Sequence, residues 1–227
     1  MKYKNITFGT FLERSNRFVG TVEIDGTPQT VHIKNTGRCK ELLVPGARTV
    51  LAVSDNPNRK TKYDLIAVYK HGTLLINMDS QLPNDLVWEW LPQSGIFSEN
   101  AVYSREVTYG NSRFDLCVKD EESTAFIEVK GVTLEENGYC RFPDAPTERG
   151  LKHINELTKC VDEGYKAYLI FVAQFYGAKS VSPNYDTHPE FGDALKNGIS
   201  KGVKVIAVDC KVAPDEVFIN KEITFNT

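Results

Sequence analysis

The sequence predicts a chain of two unlike halves, an all-β front part followed by an α/β part with a mixed sheet. Three observations carry this. Up to about residue 76 the apolar residues alternate in short runs with period two, the mark of half-buried strands. From residue 84 onward, helical spacing alternates with strand patterns. Two later runs, Lys166–Ala173 and Val203–Val208, are nearly continuous apolar, as strands covered on both faces should be.

In the front half, Arg17 to Ile24 alternates, with Phe18, Val22 and Ile24 on one side. The same alternation puts Phe18 in the core and leaves Phe11 undecided. Asp25-Gly26 supplies a hairpin turn and Gln29 to Ile33 returns as a strand. Further strands are expected at Arg48–Val53, Asp64–Tyr69 and Thr73–Ile76, separated by Pro45-Gly46, Asp55-Asn56-Pro57-Asn58 and His71-Gly72. Several short strands within about 80 residues suit a small barrel such as an OB-fold.

Asn77 to Pro83 reads as a linker, dividing the chain into residues 1–80 and 81–227. Asn84 is the expected N-cap of a helix that carries Leu86, Val87, Trp90 and Leu91 and stops at Pro92. Strands follow over Val102–Tyr109, Ser112–Val118 and Thr124–Val129. A helix over Thr147–Glu163 ends at Gly164, and a second over Pro189–Lys201 ends at Gly202. With the two apolar strands, the order α-β-β-β-α-β-α-β describes the second domain.

The composition, 41% hydrophobic and 25% charged, is that of a soluble globular protein. No run approaches the roughly 20 apolar residues of a membrane helix, and the first residues do not open a signal peptide, so a cytoplasmic protein is expected. Five scattered cysteines without a Cys-x-x-Cys are read as reduced thiols. The net charge of −3 is unevenly spread. Residues 1–80 hold 12 Lys and Arg against 7 Asp and Glu, and residues 81–227 hold 15 against 23. A basic front suits a polyanion and an acidic back suits a divalent cation.

In Ala125-Phe126-Ile127-Glu128-Val129-Lys130, alternation directs Ala125, Ile127 and Val129 into the core and places Glu128 and Lys130 together on the other face. If the preceding strand pairs with it as a hairpin, Asp115 approaches Glu128. Two carboxylates near a lysine are the elements of a PD-(D/E)xK nuclease site. The carboxylates hold Mg²⁺ or Mn²⁺, the cation activates water, and Lys130 orients that water or stabilises the transition state. The Val129 carbonyl is a further candidate ligand, and Glu106 a further acid. A Glu-x-Lys alone equally describes an exposed, ion-paired strand; the Asp thirteen positions earlier adds weight.

Longer stretches carry a family resemblance. Tyr109-Gly110-Asn111-Ser112-Arg113-Phe114-Asp115, Glu128-Val129-Lys130-Gly131-Val132-Thr133-Leu134, Phe142 to Leu157 with its Pro143-Asp144 and Thr147-Glu148-Arg149-Gly150, and Asn35 to Gly46 in the front half resemble the sugar fermentation stimulation protein family over essentially the whole chain. The resemblance implies an N-terminal OB-fold domain and a C-terminal restriction-endonuclease-like domain, DNA binding, and a regulatory role in sugar (maltose) metabolism. By position it carries the acid of the nuclease motif onto Asp115 and the (D/E)xK element onto Glu128 and Lys130. Phe114 stands where the motif has proline, which is not a ligand.

Within Phe142–Leu157, Thr147 is a plausible cap, and Arg149, Lys152, His153 and Glu156 share one helical face. Facing the site, Arg149 and Lys152 would bind phosphate and His153 or Glu156 would relay protons or steady the site. Facing solvent, they would form local ion pairs. Asp144 reads either as a third acid or as a turn residue. Arg14 and Arg17 lie among aromatic residues, an arrangement suited to nucleic acid. Asn35 and Arg38 belong to a tight loop suited to a phosphate or to the other domain. DNA is the expected partner, with RNA served by the same residues.

Overall fold

A computed structural model describes residues 1–121 and 123–227. In the front half β1 (Ile6–Arg14), β2 (Val19–Ile24) and β3 (Thr27–Ile33) form an antiparallel meander, and β4 (Arg48–Val53) pairs with β1. β5 (Tyr63–Lys70) pairs antiparallel with β4 and parallel with β3, Val31 opposite Tyr63, and so closes a five-stranded barrel. β6 (Leu74–Asn77) extends from β5. Asp25 and Gly26 both take positive φ, as a two-residue hairpin turn requires.

Two aromatic positions exchange roles relative to the sequence pattern. Phe11, on the unforeseen strand β1, is buried in the core, whereas Phe18 is 51% exposed. Phe18 precedes β2; its carbonyl accepts from Ile33 N at 2.8 Å, but its N–H donates to the Asn16 side chain at 2.9 Å and not to a strand.

The second half is a nine-stranded sheet. β7 (Val102–Tyr109), β8 (Ser112–Asp120) and β9 (Ser123–Val132) form an antiparallel meander. β9, β12 (Lys166–Ala173) and β14 (Lys204–Val212) run parallel in the centre. α2 (Glu148–Asp162) and α3 (Pro189–Lys201) cover one face, α1 (Leu82–Trp90) the other. β12 shows why its sequence is apolar throughout: Ala167, Leu169, Phe171 and Ala173 enter one core, Tyr168, Ile170 and Val172 the other.

Helices α2 and α3 lie where the pattern puts them. Thr147 Oγ1 accepts from Gly150 N at 3.0 Å as the N-cap of α2, and Gly202, with φ 118°, ends α3. α1 differs. It begins at Leu82, so Asn84 sits in its first turn and is not its cap. Pro83 in that turn costs no hydrogen bond, because the first helical N–H groups have no partner. Four strands absent from the expected order complete the sheet: β10 (Glu135–Glu136), β11 (Tyr139–Phe142), β13 (Ser180–Pro183) and β15 (Val217–Phe225).

The segment expected to be a linker is a polar junction. Buried Asn77 and Asp79 bind buried Gln174, which donates to Asn77 Oδ1 at 3.1 Å and to the Asp79 carbonyl at 3.0 Å. Lys34 Nζ reaches Asp79 Oδ2 at 2.6 Å. One continuous apolar cluster joins barrel residues such as Phe11, Leu65 and Met78 to Val132, Cys140 and Phe171 of the sheet. All five cysteines are buried and free. Among the described residues no helix is long and apolar enough to cross a membrane.

Candidate active site

The β8–β9 ladder stops at Leu116 opposite Ile127, so Asp115 and Glu128 face each other just beyond it. Strict alternation also breaks at Asp115. Phe114 and Cys117 join one core while Leu116 and Val118 join the other. Asp115 Oδ2 accepts from the Val129 N–H at 2.8 Å, and Oδ1 from Asn84 Nδ2 at 2.9 Å. Glu128, only 2% exposed, accepts at Oε1 from Lys130 Nζ at 2.5 Å and from His153 Nδ1. Its Oε2 is buried without a hydrogen-bond partner among the described residues.

These surroundings drive the two acids apart. Burial, with the nearby Glu128 charge, pushes the Asp115 carboxyl above its ordinary range against the opposing effect of Val129 N–H, Lys130 and Asn84. Burial also pushes Glu128 up, but the His153 hydrogen bond and the Lys130 charge outweigh it and hold that carboxyl below its ordinary range.

The pair opens into a cleft of about 660 Å³ bounded by the first turn of α1, β7–β8, the end of β9 and the start of α2. Thr36 of the barrel forms part of its wall. Arg149 and Glu106 both line it. Glu106, at φ 54°, is paired with Arg113 at 3.5 Å. The expected helical face divides. Arg149 reaches the cleft and His153 reaches Glu128, whereas Lys152 Nζ donates to the Asn111 carbonyl at 2.6 Å and Glu156 sits against Gly110. Sequence reasoning missed Asn84, read as a cap, and Arg105, which lines the cleft while paired to Asp85 at 2.5 Å and stacked over Trp88. A polar residue in the first turn of a helix was the only available signal for Asn84.

The model for the sugar fermentation stimulation protein RE domain matches residues 81–216, and that for the SfsA N-terminal OB domain matches residues 12–77. The chain belongs to the sugar fermentation stimulation protein family. Two relatives called sugar fermentation stimulation protein homologs agree. That of Ruminiclostridium cellulolyticum is 53% identical over 98% of both chains, and that of Clostridium beijerinckii 52% identical over 96% of both. The solved structure of Pyrococcus furiosus SfsA in complex with Ca²⁺ is similar with a TM-score of 0.88 and 27% identity, covering 100% of this chain and 98% of that one.

In this family member the front-half residues singled out for nucleic acid lie at the seam with the RE domain or near it. Arg14 is committed elsewhere. Its guanidinium donates to the carbonyls of Asn16, Arg17, Asn35, Gly37 and Arg38 at 2.7–3.2 Å, which uses all five N–H groups. It organises the loop and has no donor left for a phosphate. Asn35 Oδ1 accepts from Gly37 N, and Asp144 Oδ2 accepts from Arg38 N at 3.0 Å. Asp144 therefore ties this loop across the seam and is not among the residues that line the cleft. The side chains of Arg17 and Arg38 are exposed.

The donor set fits a hard divalent cation. Among the described residues no three His, Cys, Asp or Glu side chains gather as a ready metal cage. Mg²⁺ needs only one or two carboxylates, because it keeps waters and shares phosphate oxygens. The unpartnered Glu128 Oε2 beside Asp115, whose ionisation Glu128 opposes, is the arrangement a cation would relieve.

Proposed function

We propose that this chain is a Mg²⁺- or Mn²⁺-dependent phosphodiesterase acting on nucleic acid, DNA in the first instance. The observation that carries the reading is that Asp115, Glu128 and Lys130 line one open cleft, with Glu128 Oε2 buried and unpartnered among the described residues. When bound, the cation lowers the pKa of a water and offsets charge on the phosphodiester. Asp115 and Glu128 hold it; Val129 N–H and Asn84 keep Asp115 aimed. Lys130 stabilises the extra negative charge of the transition state, and Arg149, without an ion pair among the described residues, takes a neighbouring phosphate oxygen. The Ca²⁺ in the Pyrococcus furiosus relative supports a divalent-cation reading.

One observation favours a second reading. Lys130 Nζ is engaged with Glu128, which suits a protein that binds DNA without cutting it. Labelled single- and double-stranded DNA and RNA, incubated with Mn²⁺ or Mg²⁺ and wild type, Asp115→Ala or Lys130→Ala, separate the two. Cutting by wild type and by neither variant is expected. If none cuts and wild type binds DNA with a salt-dependent affinity, the non-enzymatic reading replaces the first.

A further inference from the structure

Glu128 Oε1 receives two donors of different freedom. Lys130 ends a flexible four-carbon stem that lines the cleft. His153 is a ring on the buried face of α2, with its side chain 7% exposed. A carboxylate oxygen accepts, so the Nδ1 that faces Glu128 Oε1 is the donor of this contact. Were Lys130 the only partner, its departure would leave a buried carboxylate without a donor, an expensive state, and the lysine would be confined to Glu128.

We propose that His153 is the positioning residue of the site: it holds Glu128 Oε1 from α2 while Lys130 Nζ turns from Glu128 to the phosphodiester, so that Oε2 stays aimed at the cation. This rests on the phosphodiesterase reading. Lys130 then has two stations, one on Glu128 in the resting protein and one on the substrate. His153 keeps the first from becoming a trap. Asp115 needs no such relief, because its donors, the Val129 N–H and Asn84, have no second task.

The test is calorimetric titration of Mn²⁺ into wild type, His153→Ala, His153→Asn and Lys130→Ala, without substrate, with circular dichroism of each. His153→Asn keeps a donor at the place of Nδ1. His153→Ala is expected to bind Mn²⁺ about 10–100-fold more weakly. His153→Asn should stay within about threefold of wild type, and Lys130→Ala should bind at least as tightly, since a competing cation has gone. Equal binding by His153→Ala and wild type overturns the proposal. So does a folded His153→Asn as weak as the alanine variant, or a Lys130→Ala weakened as much as His153→Ala. A wild type that takes up no Mn²⁺ overturns the metal reading itself, a result distinct from the others.

Discussion

Asn84 touches Asp115 from the first turn of α1, and its single hydrogen bond goes to a charged group. Such a bond contributes about 1.5–3 kcal/mol, so Asn84→Ala should lower the melting temperature by several degrees and, because the bond aims Asp115, slow cleavage by roughly 10–100-fold; steady-state kinetics beside calorimetry check both. Arg14 makes the opposite case. Arg14→Ala should destabilise the fold in urea, and Arg14→Lys should not restore it, because an ammonium cannot reproduce a five-donor planar fork. Both residues were visible in the sequence and misread there. A sequence displays a charge or an amide but not the partner that consumes it. Glu128 and Lys130 could be placed together for the converse reason, that strand alternation alone puts them on one face, and Asp115 was placed near them by the expected pairing of its strand.

Among the elements, β5 and β10 are joined by a buried ion pair. Lys70 Nζ contacts both the carbonyl and Oε1 of Glu135, with side-chain exposures of 9% and 6%. Glu135→Ala would strand a buried lysine, at a cost of about 3–5 kcal/mol, measurable by urea unfolding at pH 7. Burial pushes the Glu135 carboxyl up, but Lys70 and the Gly138 N–H outweigh it and hold it below its ordinary range. Its stabilisation is complete above the unfolded glutamate value of about 4.3 and is lost as pH falls through the lower folded value. The gap between wild type and variant should close on acidification. Nothing in the sequence announced β10, which is two residues long, β13, a four-residue strand with three residues buried, or β15, whose exposed positions lack a clear period. The helices α2 and α3 were legible because each carries its own stop signals and an apolar stripe.

For the whole molecule, the shared apolar cluster predicts a single cooperative transition. Trp88 and Trp90 fluorescence, which reports α1, and far-ultraviolet circular dichroism, which reports both sheets, should give coincident urea curves; separated midpoints would mean two independent units. The division into a barrel and an α/β sheet was legible from the change of period near residue 80, but the seam between them was not, because the Asn77–Asp79–Gln174 contacts link positions almost 100 residues apart.

The 35–38 loop is clamped by Arg14 on one side and Asp144 on the other, and it carries Thr36 into the cleft. The barrel therefore supplies part of the wall of the cleft that holds the acids. Protein engineers who graft a foreign barrel onto this sheet would be replacing part of the cleft wall, and on the phosphodiesterase reading proposed above would change which substrates enter even with every acid left in place.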